Sequence, residues 1–499
     1  MSLPQRVPVR NRKSRIPGGM TAVPFSLVLL SCGLLPSVAQ GADFNLSGGY
    51  VLRTVSDLDV ADPVLLFLPE KAKLLLGEEA TQGADSHQLL LLVYARGVLN
   101  LGDSASIVGS LDTTALSFDL AGDGPFSASA PDSRLLSDGR TLSDSAGDAA
   151  FVREIYADLV AGESDALLVT AGKWRQSLLS GLLYDDYGVS TELQWDFASG
   201  VPGSWSLGAT ALLPQRTLGQ LSPSLFVAGG TFSWSFRGLL SLESGALWMR
   251  DRATLVPGMM RDMLVLELMA SGHWNVGAAT IDHPVTGKAD VVTLHTTAEL
   301  DLDFVGLRVL AALQAGSVTL GNPTTGKERS GRPAGRLLLV ELPVTPLPSL
   351  RIVPYYLRVS GSRQGQWADE QQLGSFVTLA PLFGRAAIFL GGQVDPALSQ
   401  SDFRLLGLGA RGVTAAGAEL RFEPISRLRL VHSTSVLGYA RKDDGAASAR
   451  YGVELDTAAV VTILDWLDLR AEFDALLPGE FFPESDTMFR LVGGVEGVF

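Results

Sequence analysis

Phe489-Arg490-Leu491-Val492-Gly493-Gly494-Val495-Glu496-Gly497-Val498-Phe499 alternates apolar or small residues with others at a period of two and stops on an aromatic. A period of two is the spacing of one face of a β-strand, so this stretch predicts a strand with one apolar side. The same pattern recurs upstream. Val189, Thr191, Leu193, Trp195 and Phe197 alternate with Ser190, Glu192, Gln194 and Asp196. Val292, Leu294, Ala298, Leu300, Leu302 and Phe304 alternate with Thr293, His295, Thr297, Glu299, Asp301 and Asp303. Leu467, Leu469, Ala471 and Phe473 alternate with Asp468, Arg470, Glu472 and Asp474. A half-buried sandwich strand shows the same dyad, but these runs span about nine to fourteen residues, near the length of a tilted membrane strand.

Composition points the same way. Hydrophobic residues make up 46% of the chain and charged residues only 18%, and mean hydropathy is +0.23. No apolar run after residue 41 has the length of a membrane helix. In a bilayer every backbone polar group must be paired, and the all-strand solution is a closed barrel. The 54 glycines and 25 prolines fit many turns. The expected fold is therefore all-β: a closed antiparallel transmembrane barrel formed by residues 42–499 as one domain.

The N-terminus reads as an address. Arg6, Arg10, Arg12, Lys13 and Arg15 precede an apolar core from Val23 to Leu35, and the small residues Ser37, Ala39 and Gly41 follow. That is a secretory signal peptide over 1–41, cleaved after Ala39 or Gly41. Cys32 offers a rival lipid-acceptor reading, but the apolar run continues past it. Removing this leader removes the one cysteine and five basic residues, which leaves 34 basic against 53 acidic, a net charge of −19.

Connections alternate in length. Short turns are expected at Gly102-Asp103-Ser104, Gly162-Glu163-Ser164, Gly238, Val305-Gly306 and Asp465, with longer polar segments between them, among them Gly122 to Ala149. Aromatics gather at the short turns: Trp195, Phe197, Trp205, Trp234, Phe236, Phe304 and Trp466 are expected at the membrane interface. Parity requires Ala270-Ser271-Gly272-His273 to be a turn inside Asp262–Ile281, which gives 18 to 22 strands.

The terminal Phe499, with its apolar partners upstream, resembles the assembly signal of Gram-negative outer-membrane β-barrels. In that class the short turns are periplasmic and the long loops extracellular. A second resemblance lies in Val152-Arg153-Glu154-Ile155-Tyr156-Ala157-Asp158-Leu159 followed by Val169-Thr170-Ala171-Gly172-Lys173-Trp174-Arg175-Gln176, and in Leu469 through Phe482. These look like the alginate-export family of channels. The resemblance implies a monomeric barrel passing an anionic polysaccharide through a basic lumen, with Arg153, Lys173 and Arg175 at matching basic positions.

Charge argues for a different solute. The expected lumen carries Glu154, Asp158, Glu192, Gln194, Asp196, Glu267, His295, Glu299, Asp301, Asp303, Glu454, Asp456, Asp468, Glu472 and Asp474, against Arg308, Arg358, Arg421, Arg429 and Arg470. A passage lined by one sign selects ions of the other. The first reading is a porin-like channel for small neutral or cationic solutes; polysaccharide export and a non-transporting adhesive or structural barrel follow. The bland alternative is that the carboxylates pair with arginines on neighbouring strands.

Chemistry is sparse. Gly321 to Glu328 nearly spells a phosphate loop, but Glu328 replaces its Ser or Thr. Asp185-Asp186 and Asp282-His283 near the outer rim resemble the paired groups of omptin-type barrel proteases, which space them apart. No enzyme activity, cofactor, metal or nucleic-acid partner is expected. The expected partners are outer-membrane lipid and lipopolysaccharide, periplasmic chaperones with the barrel-assembly machinery, and a small solute or a polysaccharide.

Overall fold

The computed structural model describes residues 42–60, 84–101, 104–112, 116–119, 151–161, 166–197, 202–217, 220–221, 224–252, 286–321, 328–362, 366, 370–379, 383, 385–386, 388–389, 412–440, 450–480 and 487–498. Eighteen wall strands follow in chain order. They are β1 (Ala42–Val60), β2 (Ala84–Leu101), β3 (Ala105–Asp112, resumed at Leu116–Asp119), β4 (Phe151–Ala161), β5 (Leu167–Leu178) and β6 (Tyr184–Phe197). Next come β7 (Ser204–Thr217), β8 (Leu225–Phe236), β9 (Leu240–Asp251), β10 (Thr286–Leu302) and β11 (Val305–Gly321). Strand β12 is broken into Glu328–Pro333, Arg336–Glu341 and Val344–Leu347. The set ends with β13 (Leu350–Ser360), β14 (Gly412–Ile425), β15 (Leu428–Gly438), β16 (Arg450–Leu464), β17 (Leu467–Pro478) and β18 (Met488–Val498).

Each strand pairs antiparallel with its successor, and β18 returns to β1, from Gly49↔Val498 to Leu58↔Phe489. The sheet has no free edge, and its backbone groups are paired around the ring. The count stands at the lower end of the expected range because β9 bonds directly to β10, Leu240↔Leu300 through Asp251↔Ala289. No wall strand stands between them, and the expected strand pair within Asp262–Ile281 lies outside the described residues. Likewise β13 bonds directly to β14.

The hairpins Leu302–Val305, Leu347–Leu350, Ile425–Leu428 and Leu464–Leu467 all lie at one end, with Ala42 and Val498. The long connections lie at the other. Asp303 belongs to the Leu302–Val305 turn with φ 41, so it leaves the inner wall to which the dyad assigned it. A two-residue hairpin needs a left-handed residue, and Asp tolerates that better than bulkier side chains.

The outer face is apolar. Leu294 and Leu313 are each 56% exposed, Phe304 66% and Trp466 50%. Trp195, Phe197, Trp205, Trp234 and Phe236 form a band at the short-turn end, with Trp205–Phe232 centroids 5.2 Å apart and Trp234 stacked on Phe236 at 6.1 Å. Phe226 and Trp248 form an edge contact toward the loop end. From Phe226 to Trp234 the strand advances eight residues, about 26 Å of strand, or roughly 20 Å of height after a tilt near 40°. Water would oppose so large an apolar surface; hydrocarbon fits it.

The closing seam depends on one small residue. A Cβ on Gly49 would lie 2.4 Å from the Gly497 carbonyl oxygen and 2.6 Å from the Tyr94 hydroxyl. Gly49→Ala should therefore lower thermal stability, read as a lower temperature for loss of the compact gel band.

Candidate functional site

Along the inner face the residue type changes with distance from the short turns. Strand β9 runs Ser241, Glu243, Gly245, then Leu247 and Met249; strand β8 runs Ser235, Ser233, Thr231, Gly229, then Val227 and Leu225. The apolar part is buried, Val227 and Leu225 completely. Only material inside the barrel covers that face, and among the described residues it comes from two inward segments.

The first is Leu178–Tyr184, joining β5 to β6. Leu179, Ser180 and Gly181 have φ of 53°, 57° and 85°. Left-handed backbone costs a non-glycine about 1–2 kcal/mol. Burial of Leu179, Leu182, Leu183 and Tyr184 offsets that cost. The second segment lies between β13 and β14. Its Leu379 N–H donates to the Leu183 carbonyl at 2.9 Å, which ties the two segments together. Phe376, Val377, Leu379, Phe383, Ala386, Ile388 and Phe389 are buried against Leu310, Leu337, Leu339, Leu357 and Tyr451 in one core.

Three polar anchors hold the second segment to the wall. Gln314 of β11 accepts from Val377 N–H at 2.7 Å and donates to its carbonyl at 2.8 Å. Glu454 of β16, fully buried, accepts from Ile388 N–H at 2.5 Å and Phe389 N–H at 3.1 Å. Arg385 bridges two carboxylates, Glu341 at 2.5 Å and Glu419 at 3.0 Å. Its guanidinium lies over Tyr355, 4.8 Å from the ring centroid, and Ser433 and Ser435 donate to its carbonyl. Burial works against this cation, but Glu341 and Glu419 outweigh it and hold its pKa above the usual arginine value.

These contacts extend into a ladder. Arg308 of β11 meets Glu299 at 2.7 Å and Glu341 at 3.0 Å, and also donates to Ser180 of the first segment. Arg421 meets Glu419 at 2.5 Å. The order Glu299, Arg308, Glu341, Arg385, Glu419, Arg421 alternates in sign, so the carboxylates here are neutralised by fixed arginines. Elsewhere Arg96 lies 3.8 Å from Glu154, Thr170 donates to Asp158 at 2.6 Å, Thr462 donates to Asp468 at 2.7 Å, and Arg470 pairs with Glu496.

The structure places Glu154, Asp158, Glu192, Gln194, Asp196, His295, Glu299, Asp301, Arg421, Arg429, Glu454, Asp456, Asp468, Arg470, Glu472 and Asp474 on the inner face. Of these, His295, Glu454, Asp456, Glu472 and Asp474 are buried. The carboxylates open at the short-turn end include Asp196, Glu243 and Asp301, with Glu192 half-buried.

Arg358 is on the outer face, opposite Leu338 and Thr414, because the inner face of β13 is Val353, Tyr355, Leu357 and Val359 under the inward segment. Lys173 and Arg175 are also outside: Lys173 pairs across with Ile155 and Val189, and Arg175 meets Asp185 at 2.7 Å. Their parity is that of Ala171, so the basic lumen implied by the resemblance does not form from them. His432 faces outward too, bonded to Thr457 and Thr434. Glu267, Phe499, the Arg153 side chain, Asp282-His283 and the leader lie outside the described residues.

Sequence reasoning missed Arg385, Glu341, Glu419 and Gln314. A signal existed for one of them: Glu341 ends the inward run Leu337, Leu339, Glu341 as a lone carboxylate on an apolar face.

No family model matches the chain, and no curated protein matches it. Among solved structures it is similar to OpdQ of Pseudomonas aeruginosa, at 11% identity over 92% of this chain and 97% of that one, with a TM-score of 0.47. A BenF-like porin from Pseudomonas fluorescens Pf-5 gives 9% identity, 91% and 99% coverage and a TM-score of 0.46. OmpF of Salmonella typhi, in complex with daunomycin, gives 11%, 92%, 98% and 0.38. The fold stands on its own strand pairing, independently of these likenesses.

Proposed function

We propose that the protein is a porin-like channel of a Gram-negative outer membrane, narrowed by its own inward segments, that admits small neutral or cationic solutes. Closed walls of sixteen to eighteen strands leave an aqueous interior unless something fills it. Here the filling by described residues is confined to the apolar zone, below which lies a polar mouth. The observation that carries the solute reading is the arc Glu192, Asp196, Glu243 and Asp301 on β6 to β10, which adjoins the ladder at Glu299. Fixed carboxylates at a low-dielectric mouth attract cations and repel anions. The short turns would then be periplasmic, and the leader, chaperones and assembly machinery would serve export and insertion.

Polysaccharide export is less well supported, since Lys173 and Arg175 face outward and the inner Arg308, Arg385 and Arg421 are bound to carboxylates, although Arg429 is exposed on the inner face at the short-turn end. Reversal potentials in planar bilayers under a salt gradient should show cation preference. Anion preference would sink the solute reading and revive export; silence from both the native protein and a variant lacking Arg385 would sink the channel itself.

A further inference from the structure

Past the inward segments, we infer that the route through the bore runs along β1 to β4 and carries there a binding site for a small neutral sugar, stacked on Tyr156 and held at its edges by Arg96, Glu154 and Asp158. This rests on the reading that solute crosses the barrel through its interior.

The route follows from what the inward segments cover. Their core takes residues from every wall strand from β5 to β18, with Leu178 at one limit and Met488 at the other, and none from β1 to β4 among the described residues. Register leads from Tyr156 through Gly172 and Ser190 to Leu212, the first core residue on that rung. Three strand spacings, about 14 Å of wall, separate the two. The inward residues of this uncovered wall include Asn45 and Ser47 on β1, Arg96 and Asn100 on β2, and Glu154 and Asp158 on β4. It is polar where the rest of the wall at the inward segments is apolar.

Tyr156 stands among these groups with a fixed ring. The buried Trp174 lies beside it, 5.7 Å between centroids. Gly172, directly opposite on β5, has a φ of 139°, and a Cβ there would lie 2.6 Å from Tyr156 Cα. The ring is thus flanked by bare backbone, half-buried against Trp174 and otherwise facing the bore. Glu154 and Asp158 lie two residues to either side on the same face of β4, each about 7 Å away. Thr170 donates to Asp158 at 2.6 Å and orients it. Arg96 reaches the Tyr156 hydroxyl at 3.5 Å and Glu154 at 3.8 Å, both near the outer limit for such contacts.

Charge selects the ligand. Arg96 beside the ring opposes a cation stacked on it, and the two carboxylates oppose an anion. A neutral solute meets neither penalty. Its edge hydroxyls would donate to Glu154 and Asp158 and accept from Arg96, while an apolar C–H face lies on the tyrosine. A pyranose ring has that division into face and edge. An anionic polysaccharide does not fit, because its carboxylates would meet Glu154 and Asp158. The bland alternative is a wall cluster in which Tyr156 merely covers Trp174.

The full mature chain is refolded in lauryldimethylamine oxide, a detergent without a sugar headgroup. It is then titrated in a calorimeter with maltotriose, with polyethylene glycol of equal mass, or with trigalacturonate. Maltotriose should bind about tenfold more tightly than either control. Tyr156→Ala and Arg96→Gln should each weaken it about tenfold while keeping heat-modifiable migration. No difference between maltotriose and polyethylene glycol overturns the proposal without any variant. Equal uptake of trigalacturonate overturns the neutral assignment, and native-strength binding in both variants overturns the site. Binding without ion current in planar bilayers would uphold the sugar site and sink the channel; current without maltotriose binding would do the reverse.

Discussion

Arg385→Met is expected to raise single-channel conductance several-fold while the barrel itself stays closed. The substitution removes the one cation shared by Glu341 and Glu419, both almost wholly buried, and leaves each with a single arginine at one side. Breaking a buried pair by deleting one partner costs about 3–5 kcal/mol, because a charge remains without its counter-ion. Among its described residues the inward segment has no ladder beyond Gln372–Leu373, which pairs with Arg332 and Pro333. The penalty therefore falls on a segment held by side-chain anchors, while the wall keeps its eighteen-strand pairing. The segment detaches from the wall before the wall unfolds. Arg385→Lys keeps the charge but loses the fork that reaches both carboxylates, so its conductance should fall between native and Met. Glu454→Gln should loosen only one of its two contacts, since Ile388 and Phe389 donate to separate carboxylate oxygens and an amide keeps one of them. Conductance indistinguishable from native in Arg385→Met, with the heat-modifiable band retained, would mean that the inward segment does not limit the bore.

The wall was legible in the sequence because its code is local. In β10 the residues from Val292 to Leu302 other than Thr296 declare their face by polarity, and the structure assigns Leu294 and Leu300 outward and His295 and Glu299 inward as the dyad requires. The code fails where the interior is not water. On β13 the dyad inverts: Arg358 is outside and Leu357 inside, because the segment after Gly361 replaces water there with Phe376, Phe383 and Phe389. A charged residue then marks the rim of the outer face rather than the bore. The inward segment carries no period of its own, so nothing local announces that Arg385 bridges strands forty-four residues upstream and thirty-four downstream. The strand count fell at the lower end of the expected range for a related reason. Asp262–Ile281 is apolar enough to read as wall, but β9 bonds directly to β10 with no wall strand between them.

Placing arginine on the outer face should separate depth from facing in a single strand. Leu294 stands eight residues from each end of β10, is 56% exposed, and lies between the outward Ala246 and Leu313 of the flanking strands. Leu294→Arg should cost about 2–4 kcal/mol, the penalty for a guanidinium near the middle of the hydrocarbon. Leu300 is two residues from the end of the strand, beside Phe304, where the same substitution should cost only about 0–1 kcal/mol. Asp301→Arg, one residue on but facing the polar mouth, should assemble normally and shift the reversal potential toward anions. Unfolding of the three variants from bilayers by denaturant gives the order directly. If Leu300→Arg were as damaging as Leu294→Arg, the hydrocarbon would extend down to the short turns and the aromatic band could not be its boundary. If Asp301→Arg were the worst of the three, inside and outside would be exchanged, and with them the assignment of every carboxylate to the bore.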